Sequence, residues 1–162
     1  MIKTSKIQIF FTLQHSAKKI FDFVIRPENM SLYSGFLLIP GIKNVISSDQ
    51  IRKSGTVDKI TNTDGSSHLS KTDILISNSR YSLILSDIKV PGLKGKLANP
   101  IEGFSEDWIF NDNGDGTTSI DRTLFINYKA GFFNDLFIAC FVRPQLYFSF
   151  LRHHKNLQNA LS

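Results

Sequence analysis

The C-terminal segment from Ala130 to Ser162 constrains the fold most strongly, because it is one long helical pattern that carries many aromatic side chains. Its apolar residues recur at intervals of three and four, so we expect one broad stripe to face inward. The predicted stripe consists of Phe132, Phe133, Leu136, Phe137, Cys140, Phe141, Tyr147, Phe150, Leu151, Leu157 and Leu161. Pro144 lies inside the pattern and predicts a kink or a brief break near residues 140–144, because proline lacks the N–H that the helix would use.

The broad aromatic stripe has two interpretations, which the spacing of its residues does not separate. The side chains either form an ordinary core or line a cavity. The stripe is wider than packing on one sheet face needs, and this is the first indication of a cavity.

The chain before this segment is organised as short strands, short helices and turns. Alternation predicts a strand over residues 5–13, and two short helices follow it, the second with Pro27 at its first position. From residue 40 onward about six strands are predicted, separated by turns such as the glycine-rich stretch NDNGDG. Residues 89–103 hold two prolines and three glycines, so we expect a long loop there.

This order of elements predicts an α+β fold. Strands that are local in sequence favour a curved antiparallel sheet of about six to seven strands, and the C-terminal helix is the only predicted element long enough to cover its concave face. A chain of 162 residues has the size of one domain, so we expect a single domain over residues 1–162.

Composition argues against several classes of partner. The net charge of +5 comes from scattered lysines and arginines without a basic run, so we expect no nucleic acid. The richest apolar window, residues 132–151, contains Asp135, Arg143 and Pro144, which argues against a transmembrane helix. The single cysteine, Cys140, cannot form an internal disulfide, which favours a reducing cytoplasm, and its place in the stripe predicts a buried, inert thiol.

The chain resembles the helix-grip superfamily over nearly its whole length. The resemblance rests on the element order, the segment FDFVIRPENMSLY, the SGT that opens a strand, and a hairpin with W-I-F followed by G-D-G-T-T. Members include START-like lipid-transfer domains, the birch-pollen-allergen type, and bacterial polyketide cyclase and dehydrase-like proteins. The resemblance implies a curved sheet that grips the C-terminal helix, with a hydrophobic cavity for a small apolar ligand between them, and it carries over no shared catalytic residues.

The hairpin over residues 104–128 carries the sharpest prediction of a polar site. Alternation places Glu106 on the apolar face of the first strand and Arg122 on the apolar face of the second. If Phe110 pairs with Thr118, Glu106 lies directly opposite Arg122, and a slip by two residues makes them diagonal neighbours. The two charges form either a structural ion pair near the rim or a group that fixes the polar end of a ligand.

The histidines do not form a metal site. His153 and His154 are adjacent, so on a helix they point about 100° apart and cannot easily bind one metal ion. His154 continues the inward stripe, although we expect both rings to be solvated at the surface or rim. His15 is expected to cap a helix, and His68 lies in a strand without an identifiable partner. We expect neither a metal nor a cofactor.

These patterns together predict a protein that binds a hydrophobic small molecule, such as a lipid, polyketide or isoprenoid-like compound, between the sheet and the last helix. The alternative is an enzyme of the polyketide cyclase, aromatase or dehydratase kind, in which Glu106 or a tyrosine moves protons. A third interpretation is an interaction protein whose helical face and 89–103 loop bind a membrane or a protein partner. The predicted ligand-binding residues are Phe104, Glu106, Trp108, Phe110, Arg122, Leu124, Ile126, Tyr128, Phe137, Phe141, Tyr147 and Leu151.

The predicted assembly is simple. We expect a monomer or a weak homodimer. Contact with a membrane, if it occurs, is expected to be transient.

Overall fold

The structure is a computed structural model that describes the backbone of all 162 residues and every side chain except those of Leu93, Lys94 and Leu97. Its strands are β1 (Ile2–Leu13), β2 (Ile42–Ser47), β3 (Val57–Asn62), β4 (Ser67–Ile76), β5 (Arg80–Lys89), β6 (Ile101–Asp112) and β7 (Thr118–Lys129). They form one antiparallel sheet in the order β1-β7-β6-β5-β4-β3-β2. The predicted antiparallel sheet of six to seven strands is therefore confirmed.

The helical elements include the two short helices predicted after β1 and the long C-terminal segment. They are α1 (Ala17–Val24), a 3₁₀ helix (Pro27–Leu32), α2 (Gly92–Ala98), α3 (Phe132–Phe137), a π-helical segment (Ile138–Val142) and α4 (Arg143–Leu161). The Ser16 hydroxyl accepts a hydrogen bond from the Lys19 N–H and starts α1. Because β1 and β2 are the two edges of the sheet, α1 and the 3₁₀ helix span the distance between them.

Residues 89–103 differ from the predicted long loop, because α2 occupies their middle. Both prolines lie outside the helix: Pro91 is its N-cap and Pro100 follows its end, so neither removes a hydrogen bond from it. Gly95 allows the helix to approach the preceding chain, since a Cβ there would lie 2.3 Å from the Val90 carbonyl oxygen. The glycines and prolines of this segment are thus compatible with a short helix.

The break predicted near Pro144 is present and takes the form of the π-helical segment. The Arg143 N–H donates to the Ile138 carbonyl oxygen, five residues earlier, immediately before the proline. The C-terminal arm therefore consists of three joined pieces, α3, the π-helical segment and α4.

The predicted inward stripe of this arm is largely wrong. The side chains that pack inward are Ile138, Val142, Leu146, Phe150, Leu157 and Leu161. Most of the aromatic residues of the predicted stripe, and Cys140 with them, lie on the exposed side. The helix is apolar on two sides, so spacing alone could not identify the buried one, and the concave sheet accepts the aliphatic side.

Two buried clusters hold the arm and the first helix to the sheet. One packs α1 and the end of α4 on the sheet and includes Ile20 and Ile120. The other packs the π-helical segment and the start of α4 on β1 and β7 and includes Ile126 and Ile138. Among the described residues, no helix has the length and apolar character needed to cross a membrane.

Candidate functional site

A cavity of about 290 Å³ lies between the concave face of the sheet and the C-terminal arm. Its walls come from both buried clusters, with Tyr81 and Leu83 from one and Val142 and Phe150 from the other. The lining is mostly apolar with a few polar groups, and the volume lies at the lower end of small-molecule sites.

The predicted binding residues divide into two groups. Seven of them line this cavity, namely Phe104, Glu106, Trp108, Arg122, Leu124, Phe137 and Phe141. Five do not line it, namely Phe110, Ile126, Tyr128, Tyr147 and Leu151.

The five residues outside the cavity have different reasons for their positions. Phe110 packs edge-on against Phe21 of α1, with ring centroids 5.6 Å apart. Ile126 and Tyr128 belong to the cluster under the π-helical segment. Tyr147 and Leu151 lie on the outer side of α4, which is the opposite side from the one predicted. Strand alternation placed the first three correctly on the inner face, but the helices cover that part of the face.

The ion pair between Glu106 and Arg122 is present, in the diagonal arrangement. Glu106 faces Leu124 across the β6–β7 ladder, and Arg122 faces Trp108, so the register is slipped by two residues from direct opposition. The Arg122 Nε–H donates to Glu106 Oε1, and both side chains are buried.

The guanidinium of Arg122 lies between two aromatic rings. Its central carbon is 4.3 Å from the ring centroid of Trp108 and 3.7 Å from that of Phe150. The Trp108 indole N–H also donates to Glu106 Oε1. Cation–π contacts of this kind are worth about 2 kcal/mol when they are shielded from water. Residues from β6, β7 and α4 thus hold this cation.

His153, which we expected at the solvated rim, is buried and completes this network. The Arg122 Nη1–H lies 3.0 Å from His153 Nδ1, and arginine can only donate, so Nδ1 is the acceptor. Burial and the positive charge of Arg122 hold the pKa of His153 well below its usual range. His153 is therefore neutral, with its proton on Nε2, and its Nδ1 lone pair is not free to accept a proton from a ligand.

His154 is also buried instead of solvated, but it lies outside the cavity. Its ring stacks on Phe11 of β1, with centroids 3.3 Å apart. The prediction that His154 is the better cavity candidate is therefore wrong, since α4 turns His153 toward the cavity.

Sequence reasoning missed a second buried ion pair next to the cavity. The Arg52 Nε–H donates to Asp58 Oδ2 at 2.6 Å, and neither side chain is accessible to solvent. Arg52 Nη1 also donates to the Val24 carbonyl oxygen at 3.2 Å. Arg52 lies in the turn before β3, where SSDQIRKSGT is typical of a solvated loop, so the sequence offers no signal for its burial.

Tyr81 lies between the two ion pairs. Its side chain is buried and lines the cavity, and its pKa is raised by burial, with smaller influences from Arg52, Asp58 and Glu106. Within the described part of the chain, no group of three or more histidine, cysteine or acidic side chains is arranged to hold a metal ion.

Comparison with known proteins identifies the fold. No protein-family model matches the sequence, and no curated protein matches it. The crystal structure of Ara h 8.0201 is 16% identical with a TM-score of 0.68, and the match covers 98% of each chain. Norcoclaurine synthase from Thalictrum flavum, in complex with dopamine and hydroxybenzaldehyde, is 12% identical with a TM-score of 0.67 over 99% of this chain and 87% of that one. These matches establish the helix-grip fold.

Removing the buried cation should destabilise the protein strongly. We expect Arg122→Met to lower the free energy of unfolding by about 3 kcal/mol or more, because it leaves the Glu106 carboxylate buried without its partner. Arg80→Met is the matched control, since Arg80 pairs with Asp107 at 3.0 Å but is 42% exposed, and the free energy of unfolding should fall far less in this variant. Urea unfolding measures both, and equal losses would contradict the structural role of Arg122.

Acid should destabilise the protein through His154. Burial lowers the pKa of His154 to about 2, whereas the pKa of a histidine in an unfolded chain is about 6.5. Below about pH 6.5 the unfolded chain takes up a proton that the folded chain does not, so the free energy of unfolding falls as the pH falls. Urea unfolding at about pH 7 and at about pH 5 measures this fall for each protein. The fall should be about 2 kcal/mol smaller in His154→Phe than in the wild-type chain. Identical losses in both proteins would show that His154 is charged when folded.

Proposed function

We propose that this protein binds a hydrophobic small molecule in the cavity between its sheet and its C-terminal arm. The observation that carries the proposal is the apolar cavity of about 290 Å³, which lies inside the fold instead of being filled by side chains. Protein interiors are normally packed to crystal density, so a fold that keeps such a space needs a reason for it. Burial of apolar ligand surface supplies the driving force for binding, at roughly 25 cal/mol per Å².

The polar groups around Arg122 fit a binding role better than a catalytic one. A proton-transfer enzyme of the cyclase or dehydratase kind needs a group that can accept or release a proton toward the ligand. The Glu106 Oε1 atom already accepts hydrogen bonds from Arg122 and Trp108. His153 Nδ1 faces Arg122. Norcoclaurine synthase is an enzyme on the same fold, so the fold itself permits catalysis, and the case for binding rests on this chain's own residues.

The setting that we propose is the cytoplasm. Cys140 is exposed and unpaired, and a free thiol at the surface persists best in a reducing compartment.

A variant that fills the cavity should weaken ligand binding strongly. The neutral probe N-phenyl-1-naphthylamine should bind the wild-type protein with a rise in probe fluorescence. Leu85 lines the cavity, so Leu85→Trp should weaken this binding by about tenfold or more, because the larger side chain takes the space of the probe.

The matched control is the neighbouring residue on the opposite face of the same strand. Ile84 is 42% exposed, and Ile84→Trp should bind the probe as the wild type does. Absence of probe binding to the wild type, or equal loss in both variants, would contradict the proposed cavity site.

A further inference from the structure

Three buried polar atoms beside the cavity lack a well-formed hydrogen bond to any described residue. They are Arg52 Nη2, Asp58 Oδ1 and the Tyr81 hydroxyl. Thr72 acts to lower the pKa of the Tyr81 hydroxyl, but no well-formed hydrogen bond joins the two side chains. Buried polar atoms are nearly always paired, since an unpaired one costs free energy of folding. These atoms can therefore take a partner from outside the protein chain.

Two of the three residues face the cavity itself. Arg52 and Tyr81 both line it, and both are at least nine-tenths buried. The Glu106 and Arg122 pair directs hydrogen bonds at protein partners, with Arg122 donating to Glu106 and His153. Among the described residues that line the cavity, Arg52 and Tyr81 are the two that carry a buried polar atom without a hydrogen-bond partner.

The charges of the wall restrict what can bind there. Arg52 is paired with Asp58 and Arg122 with Glu106, so each described buried cation beside the cavity is already neutralised by a carboxylate. A ligand carboxylate or phosphate would bring an uncompensated negative charge into an apolar space, which is very unfavourable. A neutral group costs far less.

We propose that Arg52 and Tyr81 form a subsite for an uncharged polar group, a hydroxyl or a carbonyl, on an otherwise apolar ligand. This inference rests on the proposed function and specifies its ligand class as a neutral alcohol or ketone. The Arg52 Nη2–H donates to the ligand oxygen, and the Tyr81 hydroxyl donates to it or accepts from it.

The subsite is tested with three probes that share one chain: 1-octanol, octane and octanoate. The single tryptophan, Trp108, lines the cavity, so its fluorescence reports binding directly. The wild-type protein should bind 1-octanol about tenfold more tightly than octane, as one or two added hydrogen bonds predict, and octanoate more weakly than 1-octanol.

Tyr81→Phe removes only the hydroxyl oxygen and should bring the affinity for 1-octanol several-fold closer to that for octane. Because that hydroxyl lacks a well-formed hydrogen bond, the variant should fold at least as stably as the wild type. Tyr128→Phe is the control, a buried tyrosine that does not line the cavity, and it should leave the ratio of the two affinities unchanged.

Each other outcome has a definite meaning. If 1-octanol and octane bind the wild type equally, or Tyr81→Phe leaves their ratio unchanged, the subsite holds water only and the inference fails. Tightest binding by octanoate would overturn the neutral ligand class. If none of the probes binds, the proposed function fails instead.

A separate observation concerns the outside of the C-terminal arm, where large apolar side chains are exposed at helical spacing. We define the apolar rim as Phe132, Phe133, Leu136, Phe141, Tyr147, Phe148 and Leu151, together with Leu37 and Leu38 of the neighbouring turn, and all nine are exposed. The turn is fixed to α4, because the Leu38 N–H donates to Gln145 Oε1 at 2.9 Å and Phe36 contacts Phe148.

The apolar rim shares two residues with the lining of the cavity. Leu38 and Phe141 are the two residues, among those described, that both line the cavity and are exposed, at 56% and 55%. A ligand that passes between them enters or leaves across the rim. An apolar ligand would cross water at this point unless another apolar phase covers it.

The charges around the rim indicate what that phase is. Arg143, Arg152 and Lys155 are exposed on α4. The one acidic residue of the arm, Asp135, is paired with Lys3 at 2.6 Å. Exposed aromatic residues combined with basic side chains are typical of helices that lie in the interface of anionic membranes.

We infer that the apolar rim docks on an anionic lipid bilayer and opens the cavity toward it. Co-sedimentation with vesicles of phosphatidylcholine mixed with phosphatidylglycerol should show binding that is weaker on pure phosphatidylcholine vesicles. The double variant Phe132→Ser and Phe133→Ser should lower the partition coefficient by about tenfold or more, since each exposed ring adds apolar burial.

Phe10→Ser is the matched control, because Phe10 is 73% exposed on β1 and lies outside the rim. It should leave binding unchanged. An equal effect of both changes, or no binding to either vesicle, would overturn the inference. Sedimentation velocity tests the other occupant: a dimer that Phe132→Ser and Phe133→Ser dissociates would show that a second copy of this chain covers the rim.

Discussion

The buried guanidinium of Arg122 is the constraint on which the arrangement around the cavity depends. A charge inside a protein must be matched by groups held at close range. Arg122 itself belongs to β7, and the groups around it are Glu106 and Trp108 of β6 and Phe150 and His153 of α4. The network joins the sheet to the helix through polar contacts in an otherwise apolar interior. The helix is thereby held across the sheet at a distance that leaves space beside it.

The position of this network explains why the cavity does not collapse. The two apolar clusters pack the ends of the arm tightly on the sheet, one under the π-helical segment and one near α1. The mostly apolar wall between them includes Glu106, Trp108 and Arg122, whose geometry is fixed by hydrogen bonds. Groups fixed in this way cannot slide inward to fill a gap as aliphatic side chains do.

The two-residue alternation of the strands predicted which side chains face inward, whereas the helical spacing of the last helix did not. Strand alternation placed Glu106 and Arg122 on one face and even allowed their diagonal register, because one face of a sheet must be buried. The C-terminal helix has apolar residues on two sides, and the more aromatic side proved to be the exposed one, so its phase depended on contacts with the sheet. Burial of His153 was likewise decided by a partner distant in sequence, Arg122. The partners of Arg52 are Asp58, six residues along the chain, and the Val24 carbonyl oxygen, 28 residues back, and neither contact is visible in the pattern of the sequence. At 12% to 16% identity the similar solved structures share the architecture.

The pairing of the first strand with the last has a consequence for how the chain is made. Thr4 and Asn127, whose side chains are hydrogen-bonded, lie 123 residues apart, and β1 has β7 as its neighbour in the sheet. On the ribosome, β1 emerges long before β7 and must wait for it, while the hairpins from β2 to β6 can form locally. Closing so long a loop is slow, and an unpaired strand invites aggregation in the meantime. The sheet, and with it the wall that carries Arg122, is therefore completed only after β7 has left the ribosome, and the helix that covers the cavity follows β7 in the chain.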